Sequence, residues 1–274
     1  MDFPHSSPPG CHRVLLVGGK VAQPNRERNG RSVGRGATGG QGERPAARNF
    51  RVRRERSRAL GTDQPYVLYA ARGWGSVLVE AMLALCGADM RIEQIDGFDH
   101  PGENRSKLLA VNPLAQVPTL LLPDGTVMTE SAAIALLLAE SFPEAGLAPA
   151  PDDVRRPIFL RHLIWLVANI YPTFTFADYP ERWVERETDR LIDTVRRHRE
   201  ALWRMFEAEI DPGPWVLGDL FSVLDIYVCA MTHWYPRRAW FEAECPKLHA
   251  IALACEADAR LSPVWTRNFG PETA

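Results

Sequence analysis

The chain has little of what would mark a membrane protein or a secreted, disulfide-stapled one. Its longest apolar run, Ala132 to Ala139, falls far short of the roughly 20 residues that span a bilayer, so no membrane partner is expected. The N-terminus lacks a basic segment followed by an apolar one, so no secretory signal is expected either. Cysteine is scarce and scattered: Cys11, Cys86, Cys229, Cys245 and Cys255 are odd in number and form no CxxC. That spacing argues against a disulfide framework and against a zinc site, and it fits a reducing cytoplasm. Strand signals are missing beyond residue 153. The Gly-x-Gly of "RGWGS" is too short to argue for a nucleotide loop.

What is there divides into two materials. Across 274 residues, 46% are apolar and 24% charged, the balance of a soluble globular protein with one large domain or two ordinary ones. The net charge of −2 hides an asymmetry. Residues 1–64 hold 13 Lys and Arg against 5 Asp and Glu, with 10 of the 20 glycines, leaving 19 basic and 29 acidic residues for the rest. With the run "RNFRVRRERSR" and no persistent period, residues 1–64 read as a disordered Arg/Gly-rich extension. The plain interpretation is a solvated tail, or a start of translation nearer Pro65. The sharper one, a nucleic-acid-binding arm, rests on the basic tail alone.

From Tyr66 the pattern is regular. "YVLYAA" reads as a strand, and "SVLVEAMLALCG" as a helix stopped by Gly87. "MRIEQID" alternates like a second strand, and a short helix follows near Asn104–Val111. Strands at Thr119–Leu122 and Thr126–Met128 flank the Asp124-Gly125 turn, and a helix runs from Ser131 to Glu140. The order β-α-β-α-β-β-α makes a small α/β domain over 66–141. The Pro- and Ala-rich stretch 142–151 reads as a linker, and 152–270 as all helical. There Asp152 or Asp153 caps a helix that continues through "IFLRHLIWLVANIYPTF", with Pro157 in its first turn. A long helix over about 182–210 is expected to bury Val184, Leu191, Val195, His198, Leu202 and Met205. In "SVLD", Ser222 and Asp225 form a capping box, with Asp in place of Glu, that specifies fold and not a site.

The segments "NPLAQVPTLLLPDGTVMTESAAI" (112–134) and "GDLFSVLDIYV" (218–228), in that order and in those halves, resemble the glutathione transferase family. The resemblance implies an α/β thioredoxin-like N-terminal domain joined to an all-α C-terminal helical domain, in a cytoplasmic, bacterial-type detoxification enzyme. It also implies a homodimer and glutathione as co-substrate, with no metal. Glutathione thiolate would attack a small apolar electrophile. A cis peptide before Pro118 would let the Val117 backbone pair with the ligand's cysteinyl backbone; a trans proline at a strand entrance is the plain alternative. Glu130 and Ser131, where strand meets helix, would meet the ammonium and carboxylate of the γ-glutamyl end. Gln116 would face the tripeptide too. The alternative functions are a non-catalytic binding or assembly module of the same fold, and a glutathione-dependent isomerase or dehalogenase.

The thiol-activating position departs from the family. Gly73 and Gly75 stand where many relatives carry a serine or cysteine, which speaks against cysteine-dependent redox chemistry. A thiol of pKa about 8.5 is only about 3% ionised at pH 7, and a drop of two units needs about 2.7 kcal/mol. Ser76 as hydroxyl donor and Arg72 as electrostatic help could supply it at the helix N-terminus. Ser76 as a mere helix cap is the competing reading, and Tyr69 is the next candidate. Trp74, Trp165, Tyr171 and Phe174 are expected to line the electrophile pocket, though aromatics at such positions also serve core packing. Arg237 or Arg238 could face an anionic substrate or form a solvated pair. His198 is expected in the core.

Overall fold

The computed structural model describes residues 64–271. The expectations for the basic extension, tail or arm, lie outside the described residues, Gln64 excepted. The continuous apolar run of β1 (Tyr66–Ala70) suits its place in the interior of a four-stranded sheet of order β2-β1-β3-β4. β2 (Met90–Gln94) runs parallel to β1 with Leu68 opposite Ile92, and β3 (Thr119–Leu121) runs antiparallel with Leu68 opposite Leu120. β4 (Val127–Met128) closes the edge as a hairpin across the Asp124-Gly125 turn. A parallel β1-β2 pair needs a crossover, which α1 (Ser76–Cys86) provides. Gly87, at a φ of 56°, ends α1 as its sequence position suggests.

Helices α2 (Glu103–Leu109) and α3 (Ser131–Ser141) complete the α/β half. α1 is buried on nearly all sides, from Ser76 to Leu83, because the sheet and α3 cover part of it and two later helices cover the rest. The stretch 142–151 is no free tether: a 3-10 turn at Pro143–Ala145 folds it back, and the Leu147 carbonyl accepts the Val223 N–H at 2.8 Å.

α4 (Arg156–Trp165), a π-helical turn (Leu166–Ile170) and α5 (Tyr171–Asp178) follow one another without a break. Pro172 explains the π turn: it has no N–H to give to residue 168, and its ring displaces that carbonyl. α6 (Thr188–Glu209) is shorter at its start than the pattern suggests, with a 3-10 turn at Pro180–Arg182 before it. Its buried stripe is Val195, Arg199, Leu202, Trp203 and Phe206. The expected stripe is therefore rotated: His198 and Met205 are exposed, because the buried Trp203 and Phe206 set the face. α7 (Val223–Met231) is wholly buried, and α8 (Arg238–Glu244), α9 (Pro246–Glu256) and α10 (Ser262–Phe269) surround it and α1. No helix among the described residues is long and apolar enough to cross a membrane.

Candidate active site

A cleft of about 770 Å³ opens between the sheet-bearing half and the helices that follow it. One wall is the segment 112–119. Asn112, almost fully buried, donates from Nδ2 to the Gln116 carbonyl at 3.1 Å and to Thr119 Oγ1 at 2.9 Å. Thr119 in turn donates to the same Gln116 carbonyl at 2.8 Å. These bonds fix the loop so that Gln116, Val117 and Pro118 face the cleft. The Val117-Pro118 peptide is cis, the alternative the family resemblance implies. The Val117 N–H and C=O make no hydrogen bond to the protein among the described residues, so the edge is open to a ligand's backbone.

The second wall is the start of α3. Glu130 stands at its N-cap with φ 62° and ψ 100°, a conformation that costs a residue with a Cβ and so favours a functional reading. Ser131 is largely buried, and its Oγ accepts the Tyr227 hydroxyl at 2.6 Å. That leaves the Ser131 proton, with the N–H groups of the helix end, to meet a carboxylate.

Tyr227 comes from α7, and α7 is anchored by the expected capping box. The Ser222 Oγ accepts the Leu224 N–H at 3.3 Å, and the Asp225 carboxylate accepts the Ser222 and Val216 N–H groups, each at 2.8 Å. Burial still lifts the Asp225 carboxyl to about 7 against the pull of those donors. The box thus does more than specify fold, since it places the phenol behind Ser131.

Ser76 does not reach the cleft. It is fully buried, donates to the Ala71 carbonyl at 3.0 Å and accepts the Ala71 N–H at 3.2 Å. Its hydroxyl is used in closing the β1–α1 turn, which corrects its assignment as thiol donor. Arg72 is also turned away: its guanidinium bonds the Gly270 carbonyl, and its N–H meets Asp96 at 2.9 Å, beside a separate depression. Trp165 stacks on Phe206 at 5.4 Å and packs against the core, so it is not a pocket residue. Tyr69, the other thiol candidate, packs against the small cluster of Ala71, Ile95, Phe98, Leu108 and Ala115 and is not on the cleft wall. Trp74, Tyr171 and Phe174 do line the cleft, as expected, together with all five of the expected tripeptide-facing residues.

The wall across the cleft carries basic residues of which the sequence pointed only to Arg237. Arg199 is buried, held by the Thr173 hydroxyl at 2.8 Å, the Thr173 carbonyl at 2.6 Å and the Tyr235 carbonyl at 3.2 Å. Its guanidinium lies 3.9 Å from the Phe174 ring centre, and burial lowers its pKa to about 10. Arg182, Arg196 and Arg237 line the same wall, while Arg238 instead pairs with Glu256 at 3.1 Å. Trp234 donates from Nε1 to the Gly73 carbonyl at 2.7 Å and so clamps the helical half to the β1–α1 turn. His233 stacks on Phe269 at 3.8 Å, and burial, then the neighbouring Arg238, depress its pKa to about 4. A basic residue every few positions on a helix looks like a solvated face, so only the fold reveals that these arginines converge.

Known proteins are similar to this chain in sequence and in fold. The model of the family described as "Glutathione S-transferase, N-terminal domain" matches residues 78–141. The chain is 40% identical over 201 residues to the uncharacterized GST-like protein YncG of Escherichia coli K12, covering 73% of this chain and 97% of that protein. It is 28% identical over 167 residues to the glutathione S-transferase GstA of Escherichia coli O157:H7, covering 61% of this chain and 81% of the relative. Among solved structures, a sphingomonad glutathione S-transferase complexed with glutathione matches at a TM-score of 0.58 and 26% identity, over 72% of this chain and 96% of that one. A glutathione transferase homolog from Sulfitobacter with bound glutathione has the same fold, at a TM-score of 0.63 and 24% identity over 73% of this chain and 96% of that one.

Proposed function

The chain belongs to the glutathione S-transferase family, and from that premise we propose that it joins the thiolate of glutathione to an electrophile held in the same cleft. The observation that carries this reading is the convergence on one cleft of the open Val117 backbone edge, Glu130 and Ser131. The edge would pair with the cysteinyl unit, while Glu130 and the α3 N-terminus would complement the zwitterionic γ-glutamyl end, with Gln116 alongside. The similar structures that carry glutathione support the same reading. The enzyme's contributions are orientation of two reactants and ionisation of one. The reaction as proposed calls for no metal. A cytoplasmic homodimer acting in detoxification is the setting the family suggests, with 66–141 as the glutathione domain and 152–270 as the substrate domain.

The electrophile side is aromatic and basic together. Phe174 and Trp234 offer flat faces, and Arg182, Arg196, Arg199 and Arg237 stand around them. A small electrophile with a flat apolar body and one anionic group suits that wall better than the purely apolar molecule expected from the aromatic residues alone.

Calorimetric titration with glutathione, beside turnover assays with chlorodinitrobenzene and with a carboxylated aryl halide, tests the proposal. Expected are saturable binding and higher kcat/KM for the carboxylated substrate. Absence of glutathione binding overturns the reading. Binding without turnover on a broad electrophile screen, isomerisable and dehalogenatable compounds included, would make the protein a binding module, the outcome that Gly73 and Gly75 in place of an activating residue would favour.

A further inference from the structure

We propose that Tyr171 of α5, and no residue of the β1–α1 turn, donates the hydrogen bond that holds the glutathione sulfur as a thiolate; the assignment rests on the glutathione reading of the cleft. The starting point is Gly75. Its φ of −58° and ψ of −15° are right-handed helical values that any residue adopts, so the glycine is not needed for backbone conformation. It is needed for space. A Cβ at position 75 would overlap the Tyr171 hydroxyl outright, and would lie 3.2 Å from the Tyr171 Cζ and 3.4 Å from the Val117 carbonyl oxygen. The volume a side chain at the N-cap of α1 would fill is therefore filled by a phenol from the other half of the molecule. That phenol sits at the positive end of α1 and beside the backbone edge reserved for the cysteinyl unit, which is where the sulfur must come.

The phenol is held in place. The π turn at Leu166–Ile170, imposed by Pro172, shifts the register of the helix just before Tyr171. The ring meets Phe174 and Trp234 edge-on at centroid distances of 6.2 and 5.9 Å, and Trp234 is itself bonded to Gly73. Among the described residues the Tyr171 hydroxyl has no hydrogen-bond partner, so its proton is available to a ligand. Burial, then the Glu130 carboxylate, push its pKa well above the usual phenol value. It therefore keeps its proton near neutrality and acts as a donor, not as a base. In the proposed step the thiol S–H bond breaks, its proton passes to water, and the sulfur keeps the electron pair while accepting the Tyr171 O–H. That pair then forms the C–S bond as the electrophile's leaving group departs with the pair of its own broken bond.

The test uses the ultraviolet absorbance of the thiolate in the glutathione complex as a function of pH, with calorimetric affinity and kcat measured alongside. The wild type should ionise bound glutathione at least about one pH unit below the free thiol's value of about 8.5. Tyr171→Phe keeps the aromatic contacts and should bring the value back towards 8.5, with kcat near pH 7 reduced about tenfold or more and affinity changed less than about threefold. Gly75→Ser placed in the Tyr171→Phe protein returns a hydroxyl to the same space and should restore part of the shift. Equal ionisation in wild type and Tyr171→Phe, with glutathione bound in both, overturns the role of Tyr171 and leaves the transferase proposal standing. Failure of the folded wild type to bind glutathione overturns the proposal beneath it instead.

Discussion

Glu130 joins two features that stability alone does not select: a left-handed φ of 62° and a carboxylate exposed at the mouth of a helix. Both make sense if the carboxylate is kept for a ligand's ammonium. Glu130→Gln should then weaken glutathione binding by about 1.5–3 kcal/mol, a loss of at least tenfold by calorimetry, with the melting temperature nearly unchanged. Ser76 should behave in the opposite way. Its hydroxyl serves the Ala71 peptide, so Ser76→Ala should cost about 1 kcal/mol in urea denaturation and leave kcat and KM unaltered. The sequence could not separate these two residues by type, since each is a polar group at the start of a helix. Position in the local motif separated them only for Glu130, which follows a strand-turn-strand unit whose geometry is short-range. The direction of the Ser76 hydroxyl depends on how the β1–α1 turn closes, and no pattern of apolar residues reports that.

Elements were legible where their causes are local. The strands, the Asp124-Gly125 turn, the Gly87 stop and the Ser222–Asp225 box are written in adjacent residues and appear as expected. The face of α6 was not, because a helix with apolar residues on several sides is oriented by its partners, here through Trp203 and Phe206. The box is testable as an element. Asp225→Ala removes a cap, worth about 0.5–2 kcal/mol, and strands the buried Val216 N–H, worth about 1–3 kcal/mol. A loss of about 2–4 kcal/mol in denaturant unfolding is expected, together with weaker glutathione binding as Tyr227 loosens behind Ser131. The C-terminal helix is tied in by charge. Glu80 in α1 is buried, and α10 brings Arg267 to it through two bonds and Asn268 through a third at 2.9 Å, while Asn268 also accepts the Gly73 N–H at 3.2 Å. Arg267→Ala leaves that carboxylate without a cation and should destabilise the protein by about 3–5 kcal/mol, read as a fall in urea midpoint.

On the scale of the whole molecule, the site exists because residues far apart in the chain close on one volume. Gly75 and Tyr171 are complementary only after the two halves pack, and Arg199 of α6 reaches the cleft because it belongs to that helix's buried stripe. The resemblance to a family pointed to the proposed glutathione side, whose parts lie within residues 116–131, while on the opposite wall only Trp74, Tyr171, Phe174 and Arg237 were legible in the sequence. His233 offers a measurement of how that packing depends on pH. Its ring lies between Phe269 and Arg238, with the Arg238 guanidinium 2.9 Å from Nε2, and it is kept neutral. The folded pKa of about 4 is below the ordinary 6.5, so the folded state resists taking up a proton that the unfolded chain accepts. The associated stability is full above pH 6.5 and is lost as pH falls through about 4. Discounted for partial solvent access, it amounts to about 2 kcal/mol. The Glu256 carboxylate, 3.5 Å from Nε2, limits the effect because it would welcome the charge. Asp225 works in the other direction, its raised pKa favouring the fold at lower pH. The two are separated by comparing wild type with His233→Gln between pH 7 and pH 4. The variant should lose less of its melting temperature over that interval, and parallel curves would show that the stacked imidazole does not govern the acid limb.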